Sequence, residues 1–402
     1  MRLHRSQIQP IGLDLGLDSI KMLQLEVVQQ PSAAPQLRVV AAGRQTLPEE
    51  ARKNPQRRAE LSAQIIQRMF AQQPFVGRRV VATLPREIVH VKNLRLPLMP
   101  PAELETVVFK EARGLFQFDV NEARVQFLTA GEVRQGNQTQ QDIIVLAVKR
   151  AQIDQYLEQL ENCGVVVASL DTEITGLFRA FERFIRRAED QQEVQMFVDI
   201  AAQQTQVIIT RGRNISFYKS VEIGGLHLLD AVSRKLGITL DEAKALRQRL
   251  LESGQGGSSG EAHNRDPVRQ AVFDATRSVA EELGRELAMC LRYYSVAFRG
   301  HRPSRVRLVG GEAGDFQLHS IFKSSLSVAV EAARPLFSVD VGRMRASDRA
   351  GAMSQWALAM GLGLRCTNNY FAPRDGRPRT SLVNPLPMPT APAAAFVEAL
   401  SA

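Results

Sequence analysis

The chain has 402 residues, 44% of them apolar, with three cysteines, six histidines and a formal charge of +9. That is enough chain for two cores without staples, and neither the cysteines Cys163, Cys290 and Cys366 nor the scattered histidines have disulfide or metal-ligand spacing. No run reaches the roughly 18 apolar residues of a membrane span, the start Met1-Arg2-Leu3-His4-Arg5 lacks the apolar region of a secretory signal, and the arginines come with no recognition helix, zinc finger or aromatic platform, so a cytoplasmic protein that does not bind nucleic acid is expected.

Residues 11–28 read as a β-hairpin. The apolar run Ile11-Gly12-Leu13 closes on Asp14 and a short turn holds Gly16, Asp18 and Ser19. In the returning strand Leu23, Leu25 and Val27 alternate with Gln24 and Glu26, the pattern of a strand with one face buried. The tip carries what a phosphate needs: Gly16, which lets backbone approach closely, successive N–H groups, and Lys21 just beyond. Asp14 can hold a magnesium ion through its waters. A strand over 37–42, a helix over 54–70 and a strand over 79–84 complete a mixed sheet with helices. From 87 to 167 the pattern is strand, helix, strand, strand, helix, strand. Pro100-Pro101 opens a helix with Leu104, Val107, Val108 and Leu115 on one face, a hairpin covers 123–128 and 143–148, and a short amphipathic helix spans 152–162. This is a small α+β unit inserted into the first domain.

The hairpin pattern returns at 194–209. An apolar strand closes on Asp199, a small or polar turn runs from Ala201 to Gln204, and Thr205 stands where a hydroxyl can face a phosphate before the strand Val207-Ile208-Ile209. Two such hairpins predict a duplicated fold with one loop from each half at a shared cleft. After Gly224-Gly225 comes a helical part over 236–300, with a Gly/Ser loop at 253–260. A long helix capped by Asp266-Pro267 follows, its buried face reading Val268, Val272, Ala275, Val279, Leu283, Leu287, Leu291, Tyr294 and Phe298. From 367 the chain is rich in proline, arginine and alanine, which predicts disorder or a surface strap.

The spacing Asp14-x-Gly16-x-x-x-x-Lys21 resembles the first phosphate loop of the actin, hexokinase and chaperone ATPase superfamily, and Asp199-x-Ala201-x-x-x-Thr205 resembles the second. The run from Val306 to Ala313 with Gly310-Gly311 is similar to its adenosine-carrying strand, glycine pair and helix start. Further phrases, among them Leu84-Pro85-Arg86, Leu94-Arg95-Leu96-Pro97, Leu115-Phe116-Gln117-Phe118, Leu170-Asp171-Thr172-Glu173 and the segment Trp356 to Leu364, resemble in their order the PilM proteins of type IV pilus assembly, relatives of the cell-division protein FtsA. The resemblance implies an α/β, duplicated actin-like (ribonuclease H-like) two-domain ATPase fold with an inserted small α+β subdomain. Its parts are residues 8–86 with 168–192 as domain I, 87–167 as the partner-docking insert, 193–366 as domain II with a helical subdomain over 236–300, and 367–402 as a tail.

The same resemblance implies ATP and magnesium as ligands. Asp14, Gly16, Ser19 and Lys21 are then expected at the phosphates, Asp199 and Thr205 on the opposite side, and Gly224, Gly225, Lys244, Gly310 and Gly311 around the rest of the nucleotide. Asp14 and Asp199 would face the magnesium water shell, and Glu173 would orient an attacking water. Two departures make hydrolysis weak or absent in this expectation. Ala201 stands where the family has glycine, and Ala243-Lys244-Ala245-Leu246-Arg247 stands where it has Ala-Glu-x-x-Lys, leaving Lys244 to reach ribose or phosphate in another geometry. As partner, the resemblance implies the short peptide of a PilN-like inner-membrane protein, with an Asn-Leu-Leu-Pro core, so that membrane association is indirect. Pilus motor or alignment-complex proteins and self-association are further candidates. Ser381-Leu382-Val383-Asn384-Pro385-Leu386-Pro387 is similar to that peptide and suggests docking of the tail in cis. The alternatives are an active ATPase or small-molecule kinase on the same fold, for which no sugar-binding cluster is found, and an FtsA-like filament protein, whose basic amphipathic end has no counterpart in Ala393 to Ala402.

Overall fold

The computed structural model describes residues 6–29, 35–135, 138–254, 266–298, 301–349 and 351–367. The tail, its peptide-like segment and most of the Gly/Ser loop lie outside the described residues. Three sheets are present among those described. The first has the order β15 (Val339–Asp340), β4 (Gln36–Thr46), β3 (Ser19–Val28), β2 (Ile11–Leu15), β5 (Arg79–Thr83) and β9 (Val166–Asp171), with β1 (Ser6–Ile8) also on β3. Strands β2, β3 and β4 form an antiparallel meander, and β5 and β9 continue parallel to β2. The second sheet repeats the plan. Its meander is β10 (Val194–Ile200), β11 (Thr205–Arg211) and β12 (Asn214–Val221), and β13 (Arg305–Val309) and β14 (Ala329–Ala332) extend it in parallel from β10.

Strand β3 differs from the expected half-buried ribbon, because helices cover both faces of the sheet. Leu23, Leu25 and Val27 enter the larger core, while Ile20 and Met22 enter the core under α2 (Pro55–Gln72) and α4 (Arg150–Asn162). Gln24 is therefore buried, and its amide is satisfied by backbone: it donates to the Val76 carbonyl at 2.8 Å and accepts from the Val76 N–H at 2.8 Å.

The third sheet, in the order β6 (His90–Pro97), β8 (Gln138–Lys149) and β7 (Ala123–Gln135), is the insert. The pleat of β8 divides its side chains between two neighbours. Ile143, Val145 and Ala147 pack with Leu104, Val108 and Ala112 of α3 (Pro101–Leu115), whereas Ile144 and Leu146 join the larger core that also holds Phe217, Tyr294 and Phe298 of the second half. The helix α4 was expected within the insert, yet its Ile153, Tyr156 and Leu160 pack with Leu13, Met22 and Val80 of the first sheet, and the Tyr156 hydroxyl donates to the Thr83 carbonyl at 2.8 Å.

Two helices cross between the halves. The first, α5 (Glu173–Glu182), follows β9, and the second is the buried segment Ala357–Gly363. They approach so closely that a Cβ at Gly361 would lie 1.7 Å from the Gly176 carbonyl oxygen, and one at Gly12 1.9 Å from that of Ala359. Asp171, at the end of β9, binds this junction together: it accepts from Arg179 at 2.5 Å, pairs with Arg365 at 2.7 Å and accepts from the Thr175 hydroxyl at 2.5 Å. Burial pulls its pKa upward, but the two guanidinium groups outweigh burial and hold it below the ordinary carboxylate value. The long helix Pro267–Ala297 buries Val272, Leu283, Leu287, Leu291 and Tyr294 of the expected face, while Ala275 and Val279 are half-buried and Val268, in its first turn, is exposed.

Candidate functional site

Between the two halves lies a cavity of about 430 Å³, lined by both hairpin tips. In the first hairpin the antiparallel register puts Asp14 opposite Lys21, on one face of the ribbon, and Lys21 Nζ donates to Asp14 Oδ2 at 2.8 Å. The turn between them is tight: a Cβ at Gly16 would sit 2.9 Å from the Ser19 carbonyl oxygen. Asp14, Gly16, Asp18, Ser19 and Lys21 all line the cavity. Asp18 carries cations from two other elements. Lys244 Nζ, on α7 (Leu240–Gly254), reaches its two carboxylate oxygens at 2.7 and 2.8 Å, and Arg52 lies at 3.4 Å. Lys244 is thus bound to the first hairpin across the cleft, instead of standing free for ribose or phosphate as the sequence suggested.

The second hairpin is used differently. Asp199 lines the cavity, and the backbone of Gly310, at φ +89°, passes so near that a Cβ there would meet Asp199 Oδ1 and the Ile200 carbonyl at 2.9 Å. Thr205, expected to turn its hydroxyl to a phosphate, is fully buried, lies outside the cavity lining and donates to the Ile223 carbonyl at 2.6 Å. Side chains alternate along a strand, so at the start of β11 Gln206 reaches Glu173 while Thr205 turns to the other face. The turn carbonyls of Ala201 and Ala202 accept from the N–H groups of Gly225 and Leu226 at 2.8 Å, which spends two first-turn donors of α6 (Gly225–Leu236) inside the protein. Gly224 serves this contact, since a Cβ there would lie 2.6 Å from both carbonyl oxygens; it is not part of the cavity wall, whereas Ala201, Gly225, Gly310 and Gly311 are.

Glu173 begins α5 behind its N-cap Thr172 and lines the cavity between the hairpins. Its Oε2 accepts from Arg86 Nη2 at 2.8 Å and from Gln206 Nε2. Burial pushes the Glu173 carboxyl up to about 7, Arg86 pulls against that, and the facing Asp199 and Asp14 add to it. Asp199 is raised for the same reason, burial first, with Arg86 opposing. Arg86 is the residue that sequence reasoning missed. It follows β5, the parallel neighbour of β2, so the strand end Leu84-Pro85-Arg86 emerges at the same edge as Asp14. Its Nη1 also reaches Gln204 Oε1 of the second hairpin turn at 3.4 Å. A second arginine, Arg247 on α7, is buried and bound to Glu312 and Asp315 at 2.8 Å each, fixing α7 beside Gly310-Gly311. Leu226, Leu229 and Leu251 add apolar wall on the α6 and α7 side.

The cleft therefore offers cations, backbone and an apolar wall together, which suits a polyanion joined to a flat apolar group. The magnesium expected at Asp14 and Asp199 fits less well. Asp14 already has Lys21, Asp199 faces Arg86, and among the described residues no group of three or more metal-ligating side chains comes together.

A family model described as type IV pilus assembly protein PilM matches residues 12–367. Among solved structures, a PilM-PilN type IV pilus biogenesis complex is similar with a TM-score of 0.69 at 22% identity, covering 89% of this chain and 98% of that one. The ethanolamine utilization protein EutJ from Carboxydothermus hydrogenoformans shows a looser likeness, with a TM-score of 0.46 at 13% identity and 89% of each chain covered. MreB5 of Spiroplasma citri bound to ADP gives 0.45 at 12% identity, covering 91% and 98%. No helix among the described residues is long and apolar enough to cross a membrane.

Proposed function

The chain belongs to the PilM family of type IV pilus assembly proteins, and from that premise we propose that it is a cytoplasmic actin-like scaffold. Its insert docks the cytoplasmic peptide of a PilN-like inner-membrane protein, and its cleft holds a nucleoside triphosphate such as ATP. The observation that carries this reading is that the family match runs unbroken through both halves and the insert, residues 12–367. The build of the insert agrees with a docking role. Its sheet is held between α3 and the second half, so it is a rigid platform, and β6 ends the strand order with one edge open to an extended peptide. Recruitment through such a peptide brings the protein to the inner membrane.

In the cleft, the Lys21 ammonium and the backbone of the first turn receive the phosphates, and Gly310-Gly311 with the leucines of α6 and α7 receive the nucleoside. Turnover is not part of this reading, because Glu173 is already engaged by Arg86 and Gln206. The test of docking is hydrogen exchange of the full chain with and without a synthetic PilN-like N-terminal peptide. Saturable binding with protection concentrated in residues 87–149 supports the proposal; no binding, or protection confined to the second half, overturns it.

A further inference from the structure

Three carboxylates line the cavity, Asp14, Glu173 and Asp199, and two of them are paired with cations of the protein itself. Lys21 holds Asp14 at 2.8 Å and Arg86 holds Glu173 at 2.8 Å, and the charges of both cations act on Asp199. Arg86 also reaches Gln204 in the second hairpin turn, so it bridges the two halves. A guanidinium is permanently charged and offers five N–H donors in a rigid fork, enough to hold these partners and still present donors to a phosphate. Magnesium asks instead for six oxygens in a near-ideal octahedron and keeps its waters reluctantly. To sit among these acids it would have to displace the Arg86 side chain or lie beside it, charge against like charge, in a partly buried cleft.

We infer that Arg86 takes the place of a divalent cation, so that the cleft binds the nucleoside triphosphate as the metal-free anion. This deepens the nucleotide reading and rests on it. The metal-free triphosphate brings the full negative charge that Arg86 and Lys21 answer, whereas magnesium ATP would bring a cation into a site that already has one. Arg86→Ala should then leave Glu173 without its ion-pair partner, weaken the positive field at Asp199, and create the metal site that the wild type lacks.

The test has two arms on the full chain. In the first, manganese is titrated into the nucleotide-free protein and followed by its electron paramagnetic resonance signal. The wild type and Arg86→Lys should leave the metal free, and Arg86→Ala should gain a site that disappears again in Arg86→Ala with Asp199→Asn. In the second, ATP binding is measured by calorimetry in EDTA and in excess magnesium. Wild-type affinity should fall by about tenfold or more in excess magnesium, which converts the free anion to its magnesium complex, while Arg86→Ala should lose about tenfold or more in EDTA and regain it with magnesium. Arg86→Lys, which keeps the charge, should bind in EDTA. A wild type that takes up manganese, or that binds ATP as tightly or more tightly in excess magnesium, overturns the inference. Failure to bind ATP under either condition, with the manganese arm as expected, counts against the nucleotide reading and for the assignment of Arg86.

Discussion

The two hairpins share a plan, and the structure puts them to different uses. Each is an apolar strand ending in an aspartate, a short turn and a returning strand, and each delivers its aspartate to the cavity. In the first, the remaining polar side chains stay at the cleft: Lys21 and Ser19 line it, and Asp18 meets Lys244 there. In the second, the turn is committed to the protein itself, through Thr205 on Ile223 and the Ala201 and Ala202 carbonyls on α6. A phosphate-loop pattern thus states where a strand ends and turns, and the neighbouring helix decides whether the turn is free to meet a ligand.

The largest effect is expected in the first half, at the strand-ending aspartate that never reaches the cavity. Asp171→Ala strands Arg179 and Arg365 without their counter-charge and should cost about 3–5 kcal/mol in a urea melt. Because the folded pKa of Asp171 lies below the ordinary value of 3.8, its contribution is fully present above that value and is lost as pH falls through the lower, folded one. Acid unfolding should therefore be shallower at low pH in Asp171→Asn than in wild type. The glycine pairs give the next contrast. Gly224→Val forces a side chain against the Ala201 and Ala202 carbonyls and should cost about 1–3 kcal/mol, whereas Gly311→Ala, whose Cβ meets nothing within 4 Å, should change stability by less than about 0.5 kcal/mol. Thr205→Val leaves the buried Ile223 carbonyl without its donor and should lower the melting free energy by about 1–3 kcal/mol. Among the side-chain contacts the smallest change is expected for Lys244→Ala, about 0.5–1 kcal/mol and weaker in high salt, since that ion pair is partly open to water.

Much of the fold was legible in the sequence because it is written in local patterns: two strand-turn-strand repeats, a proline-opened helix, a long apolar helical face. What escaped was decided by contacts made at a distance. Gln24 and Glu26 read as a solvent face, but helices cover β3 on both sides and Gln24 is capped by residue 76. The helix 150–162 reads equally well in either unit, since its apolar face says that it packs and not on what. At the site, Asp14, Lys21, Asp199 and the Gly310-Gly311 pair were recognisable from spacing and do meet in one cavity. Thr205 was placed on the wrong face of its strand. Arg86 stood in the family-like phrase Leu84-Pro85-Arg86, but nothing in its neighbours gave it a place in the cleft, and the partner of Lys244 lies 226 residues away.

The most direct measurement is equilibrium ATP binding to the full chain beside Lys21→Ala and Thr205→Val. If the first hairpin meets the phosphates and the second is clipped into the fold, Lys21→Ala should weaken binding by about tenfold or more and Thr205→Val should leave it within about twofold. Binding that is lost in Thr205→Val and kept in Lys21→Ala would contradict this division of the two hairpins.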